Sequence, residues 1–336
     1  MRVSFKLCNN LSFCKLKEEK KDSVGQKIMI DGIFFVGHVS VDKVQNINGS
    51  NVQPGGAALY AAIAARTLLE NVYLISVIGR DYPFLDVLDI FPRRFLKISK
   101  APSTKFSIKY NELWEAEYLE AKYGSGLKIS PSLIPVESLS SESIVHISPL
   151  SPIRVKRIMQ RIRERKPKTK VSVNAWIGYI KGENKKILRE IASEADFFIL
   201  NDSEAKALTN AKSLSTALKI LESRMLVVTL GELGAIINKE GEIQIVPALR
   251  FPVERVIDTT GAGDVWCGSF LAAYKQTGDL MKSVTVASVI SSIKCAGWGF
   301  SKLLNLRFKK VDDILEYIIG LKEGGMQKKI LDYLSK

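Results

Sequence analysis

Cysteine is scarce and histidine scarcer: the 336 residues hold four cysteines and two histidines. Cys8, Cys14, Cys267 and Cys295 show neither metal-ligand spacing nor a disulfide framework. That excludes a zinc module and a disulfide-stapled scaffold, and makes a reducing cytoplasm the expected home. No apolar run reaches the ~20 residues that span a membrane, so no membrane association is expected. Cys8 to Lys21 is polar and basic rather than a clean apolar core, so no secretory leader is expected either. A nucleic-acid motif is also missing, although the net charge is +14. The lysines and arginines are scattered, and specific nucleic-acid binding is not expected. Their densest cluster, Arg154 to Lys170, reads as the solvated face of a helix whose apolar stripe is Ile153, Val155, Ile158 and Ile162.

What is present is apolar residue at 46% and charged residue at 25%, enough for the core of one large α/β domain. Strand patterns at Ile28–Val36, Val72–Gly79, Ser143–Ile147 and Lys170–Asn174 alternate with helical ones. Such alternation predicts a three-layer α/β/α fold with a largely parallel central sheet. Two segments break the pattern, at about 43–53 and 103–123. The second contains Lys105–Tyr110 and Glu115–Ala121, a hairpin with alternating faces, and both are expected to form a small β lid. The charge-rich Lys15–Asp22 run has little periodicity, so residues 1–28 read as a poorly ordered extension, with a natural start expected near Met29. The folded domain is expected over 29–322, with a tail helix at 323–336 after the Gly324-Gly325 break.

The most informative string is Asp258-Thr259-Thr260-Gly261-Ala262-Gly263-Asp264, which runs directly into the apolar Val265–Ala273 segment. A small-residue turn that opens a helix leaves unpartnered N–H groups at the positive end of the dipole, where anions bind. Gly261 and Gly263 let an anion reach the backbone. An acid beside that anion would repel phosphate unless it takes a proton from the attacking hydroxyl. The competing reading is an ordinary tight turn in which Asp264 merely satisfies first-turn N–H groups. Asp258 before the string and the small-residue helix after it favour the anion site.

This string closely resembles the C-terminal signature of the PfkB (ribokinase-like) family of carbohydrate and nucleoside kinases. Further segments follow the family's order from Asp42 to Asp264, and the resemblance covers most of residues 29–320. It implies a ribokinase-like fold, ATP and Mg²⁺, Asp264 as catalytic base, and the Gly261-Ala262-Gly263 backbone as anion hole. Asp42, just beyond the first strand, would bind acceptor hydroxyls. Pro54-Gly55-Gly56 before an Ala-rich helix looks like the substrate-side glycine pair. Asn201 and Glu204 match an Asn-x-x-Glu element that organises Mg²⁺ and phosphates, often through water. The bland reading there is a helix start capped by Asp202 or Ser203. Thr229, Gly231 and Gly234 match the nucleotide loop, and Gly297 falls where relatives place adenine. Some members hold a monovalent cation near the equivalent of Asp258.

One departure stands out. Many members carry Asn four residues after the second glycine, where this chain has Tyr60. An aromatic ring cannot copy an amide's paired donor and acceptor. Tyr60 either stacks on a ligand or packs against the sheet. Asn174, at a strand end, is expected to line the cleft beside Trp176. His38 reads as a structural residue at a strand end. The expectation is an ATP-dependent kinase acting on a sugar, polyol or nucleoside, with myo-inositol or a nucleoside favoured over ribose. The competing possibility is a catalytically silent ligand-binding or regulatory protein on the same fold. A monomer or a homodimer fits either.

Overall fold

A strand buried on both faces reads as a continuous apolar run, and Ile33-Phe34-Phe35-Val36 is one, fully buried from end to end. The computed structural model describes residues 29–248, 255–314 and 316–317. Its strands are, in chain order, β1 (Ile33–Val36), β2 (Ser40–Asn46), β3 (Gly49–Gly55), β4 (Val72–Gly79), β5 (Leu96–Ser99), β6 (Thr104–Tyr110), β7 (Ala116–Lys122), β8 (Ile144–Ile147), β9 (Lys170–Asn174), β10 (Phe197–Asn201), β11 (Met225–Thr229), β12 (Gly234–Lys239) and β13 (Glu242–Pro247). Its helices are α1 (Ala57–Ala65), α2 (Leu85–Leu88), α3 (Pro152–Arg165), α4 (Asn184–Glu194), α5 (Asp202–Thr209), α6 (Leu214–Ile220), α7 (Ala262–Thr277) and α8 (Leu280–Cys295).

Nine strands form the central sheet in the order β13-β12-β11-β10-β9-β8-β1-β4-β5. Pairing is parallel from β11 through β5, and β12 and β13 add an antiparallel edge. Alternate side chains of β1 divide the core. Ile33 and Phe35 pack with α1, α7 and α8, whereas Phe34 and Val36 pack with α3, α4, α5 and α6. This is the three-layer α/β/α arrangement expected from the alternation. On the first face small residues let α1 and α7 approach closely, with Gly268 set directly against the Ala61 backbone.

A second sheet, in the order β3-β2-β6-β7, forms the lid. It is more regular than the sequence suggests. The polar 43–53 segment belongs to the β2–β3 hairpin, and Asp42 sits within β2 rather than in a loop. In β6–β7 the expected alternation fails on one strand, since every residue of β7 is exposed in the chain as it stands. The helix in the basic cluster is present, but its stripe shifts: Ile153 is 53% exposed and Met159 takes its place beside Val155, Ile158 and Ile162. A helical step turns 100° per residue, so a position next to the stripe falls outside it.

Residues 1–28 and the tail helix at 323–336 lie outside the described residues. Helical backbone is described at 311–314 and 316–317.

Truncating Ile162 to Ala should destabilise the chain by about 2–5 kcal/mol, because it empties a fully buried position. Ile153→Ala should change stability by less than about 0.5 kcal/mol. Urea denaturation of the two variants beside the parent checks the corrected stripe.

Candidate functional site

Helix α7 starts at Gly261, whose left-handed backbone (φ 73°) turns the chain into the helix with no side-chain cap. The first N–H groups, including those of Gly263 and Asp264, therefore point out of the helix end. The two glycines are needed for different reasons. A Cβ on Gly261 would run into the ring of Tyr60, whereas one on Gly263 would meet nothing within 4 Å. Gly263 faces open space at the floor of a cavity of about 360 Å³ between the lid and the C-terminal ends of the central strands.

That cavity brings together most of the residues singled out by sequence. Asp42, Gly56, Tyr60, Asn174, Asn201, Glu204, Thr229 and Gly261 to Asp264 all line it. Gly55 lies behind Asp42, so close that a Cβ there would overlap the carboxylate. Gly231 and Gly234 flank the short turn between β11 and β12, Gly297 follows α8, and Asp258 is buried behind the anion-site loop. None of these is among the described residues that line the cavity.

Three carboxylates face this space, and burial pushes each up to about 7. For Asp42, hydrogen bonds from the Ser40 hydroxyl (2.6 Å) and the Gly56 backbone oppose the rise, while the charges of Asp258 and Asp264 add to it. Asp264 accepts a hydrogen bond from Asn174 Nδ2 at 3.3 Å, which with the Lys294 charge pulls against burial. Glu204 accepts backbone N–H groups from Asn201 (2.9 Å) and Ile177 (3.1 Å). Asn201 Oδ1 in turn accepts the Glu204 N–H at 2.8 Å, so the two residues form a capping box. The cap of α5 is therefore Asn201, not Asp202 or Ser203. Its preceding strand ends at the sheet edge of the cavity, which points both side chains inward.

Tyr60 packs rather than presenting a free face. It is 1% exposed, and its hydroxyl accepts a hydrogen bond from Gln53 Nε2 at 3.1 Å. Burial raises its hydroxyl well above the ordinary range. Gln53 also donates to Asp258 Oδ2 (3.0 Å), which is paired with Lys294 at 3.2 Å. This polar group sits directly behind Gly261. Tyr60 thus packs beneath Gly261 and lines the cavity there.

The other rings at the cavity, Trp176 apart, are what the sequence reading missed. Phe106 and Tyr118 of the lid, Tyr123, and Trp176 and Tyr179 after β9 form an edge-to-face chain with centroid spacings of 5.2–6.2 Å. His38 extends it, 5.5 Å from Tyr123, with Nδ1 buried and unpartnered among the described residues. Burial and the nearby Arg154 push His38 down to about 4, so it is a neutral imidazole at neutral pH. The signal was available in the spacing of aromatics at 106, 110, 118 and 123. Their convergence with Trp176 was not, because it depends on the lid folding back over β9.

Raised carboxylates carry a cost in stability. An acid at about 7 in the fold against 3.8 unfolded binds extra protons in the native state, so stability falls as pH rises through that window. Asp264→Asn should therefore raise the melting temperature at pH 8, and the gain should shrink to nothing as pH falls to about 4. Thermal melts of ligand-free protein across that range test the sign.

The chain resembles known proteins along most of its length. Residues 102–301 match the family model described as pfkB family carbohydrate kinase. A cytidine kinase of Thermococcus kodakarensis is 29% identical over 281 residues, covering 81% of this chain and 98% of that one. The structure of a Burkholderia thailandensis nucleoside kinase in complex with inosine aligns with a TM-score of 0.71 at 18% identity, over 86% of this chain and 98% of that one. A Vibrio cholerae O395 fructokinase double mutant, solved with fructose, ADP and a potassium ion, aligns with a TM-score of 0.70 at 17% identity, over 87% and 100%. With the helix entrance, the lid and the family model all in agreement, the chain belongs to the pfkB family of carbohydrate kinases and is a small-molecule kinase of ribokinase-like fold.

Proposed function

We propose that this kinase transfers the γ-phosphoryl group of ATP to a hydroxyl of a nucleoside. The observation that carries the acceptor class is the ring chain from His38 to Tyr179 on the lid side of the cavity. Rings provide flat apolar faces against which a base stacks, at about 1–3 kcal/mol per base. A hexose or cyclitol presents hydroxyls all round and would leave this wall poorly matched. The neutral His38 closes the end of this wall, with its Nδ1 turned toward Gly126. The cytidine kinase and nucleoside kinase likenesses support the same class. Replacement of the family's Asn by the packed Tyr60 argues against a ribose acceptor held in the usual way.

In this reading Asp42 holds the acceptor's sugar hydroxyls, fixed in turn by Ser40 and Gly56. Asp264 takes the proton of the attacking hydroxyl, and a base near 7 is matched to that task at neutral pH. Asn174 keeps the carboxylate oriented through its 3.3 Å hydrogen bond. The outward N–H groups of Gly263 and Asp264 accept the charge developing on the transferred group. Asn201, Glu204 and Thr229 take the nucleotide side. Gly231, Gly234 and Gly297 are assigned there by resemblance alone.

Mg²⁺ supplies charge neutralisation on the phosphates when bound. Among the described residues no group of three or more His, Cys, Asp or Glu is arranged to hold a metal. That suits an ion carried mainly by phosphate oxygens and water, with Glu204 reached through water because both its oxygens already accept backbone N–H groups. The position beside Asp258 fits a monovalent cation poorly, since the groups facing its carboxylate are N–H donors.

Asp264→Asn should lower kcat by at least about 10²-fold while ATP still binds, read by calorimetry beside turnover. Near-normal turnover would refute the base assignment. ADP release should be measured with cytidine, adenosine, inosine, ribose, fructose and myo-inositol. The highest kcat/KM is expected with a nucleoside, and a clear preference for fructose or inositol would overturn the acceptor class.

A further inference from the structure

We infer that Lys294 is a tethered substitute for a monovalent cation: its ammonium holds the Asp258–Gly261 loop behind the anion site, so phosphoryl transfer needs no potassium or sodium ion there. Lys294 lies in the last turn of α8, a helix whose only other charged residue is Lys282 in its first turn, and is 0% exposed. Such a residue is costly to bury and must be paired. Its Nζ donates to the Asp258 backbone carbonyl at 2.7 Å and lies 3.2 Å from Asp258 Oδ2. The ring of Tyr60 closes a third side, with its centroid 5.6 Å from Nζ. A carbonyl oxygen, a carboxylate oxygen and a π face converging on one point are the partners a compact cation wants.

The other groups that bond the Asp258 carboxylate are donors, which suit no second cation there. Asp258 Oδ1 accepts the Thr260 N–H at 2.9 Å. Oδ2 accepts Gln53 Nε2 at 3.0 Å and the Gly299 N–H at 2.9 Å. Each of these groups presents a proton to the carboxylate, and none offers a lone pair to a metal ion. Burial pulls the ammonium below its usual range and pushes the carboxyl the other way, but the Lys294 charge and the bonds from Thr260 and Gln53 hold Asp258 below the ordinary carboxylate range.

The same contacts tie the catalytic loop to α8. The backbone N–H groups of Ile257 and Asp258 bond the Cys295 carbonyl at 2.8 and 3.3 Å, one residue beyond Lys294. The loop then runs three residues to Gly261 and the start of α7. Lys294 acts through the loop, as a positioning residue, and its charge also reaches Asp264. A mobile ion in this place would be exchanged with solvent, whereas the lysine is always present.

This inference rests on reading the α7 entrance as the phosphoryl site. The test compares the full-length chain with Lys294→Ala in potassium, ammonium and tetramethylammonium chloride at equal ionic strength. Melting temperature is read without substrate, and turnover with the preferred acceptor. The parent should show the same melting temperature and kcat in all three salts. In tetramethylammonium Lys294→Ala should lose about tenfold or more in turnover. Potassium or ammonium should restore turnover and raise the melting temperature of the variant alone. A potassium-specific gain in the parent would overturn the inference, as would a variant that keeps full turnover or one whose loss no small cation repairs. If Lys294→Ala does not fold, the parent's response to salt decides alone. Absence of turnover with every acceptor would sink the kinase assignment, while the melting data would still judge Lys294.

Discussion

The start of α7 must be open to the cavity and yet immobile, and the buried Asp258–Lys294 pair meets both demands. An uncapped helix end is an anion site only if its N–H groups stay where the phosphoryl group will be. A side-chain cap would hold them but would fill the site. The chain instead fixes the preceding loop from behind, through Asp258, Lys294, Gln53 and the underside of Tyr60. Buried ion pairs are seldom a net gain in stability, since desolvation offsets much of their attraction. What this one contributes is a defined position for Gly261.

The cavity runs on the opposite principle. Asp42, Glu204 and Asp264 are withdrawn from water without a cation at hydrogen-bond distance, and each is pushed up to about 7. A carboxylate in bulk water is too weak a base to deprotonate an alcohol usefully, while one near neutral is better matched. The same desolvation that tunes Asp264 weakens the folded state above about pH 4. Phosphates and Mg²⁺ would repay part of that when bound. The two halves of the site thus differ by design of their surroundings: paired charge behind the loop for rigidity, unpaired charge in front of it for chemistry.

The lid joins these halves to the acceptor. Its strands carry Asp42, proposed to bind the acceptor's hydroxyls, on β2 and the rings Phe106 and Tyr118 on β6 and β7. The exposed β7 is the lid's free edge. One small sheet therefore holds both the polar and the apolar parts of the proposed acceptor site.

Local chemistry made much of this legible in the chain itself. The parallel core followed from apolar runs such as Ile33–Val36 and Val72–Gly79, because a strand covered on both faces has no polar side. The uncapped helix entrance proposed as the anion site was legible in Gly261-Ala262-Gly263-Asp264, because backbone access and an adjacent acid are written in consecutive residues. Tertiary structure decided the rest. It packed Tyr60 under Gly261 with its hydroxyl held by Gln53, moved the α3 stripe from Ile153 to Met159, and made Asn201 the cap. It also brought Trp176 against Tyr118 and set Lys294 on Asp258. Contacts between residues 36 or 58 positions apart depend on how a helix and a lid pack across the sheet, and no spacing in the sequence encodes that distance.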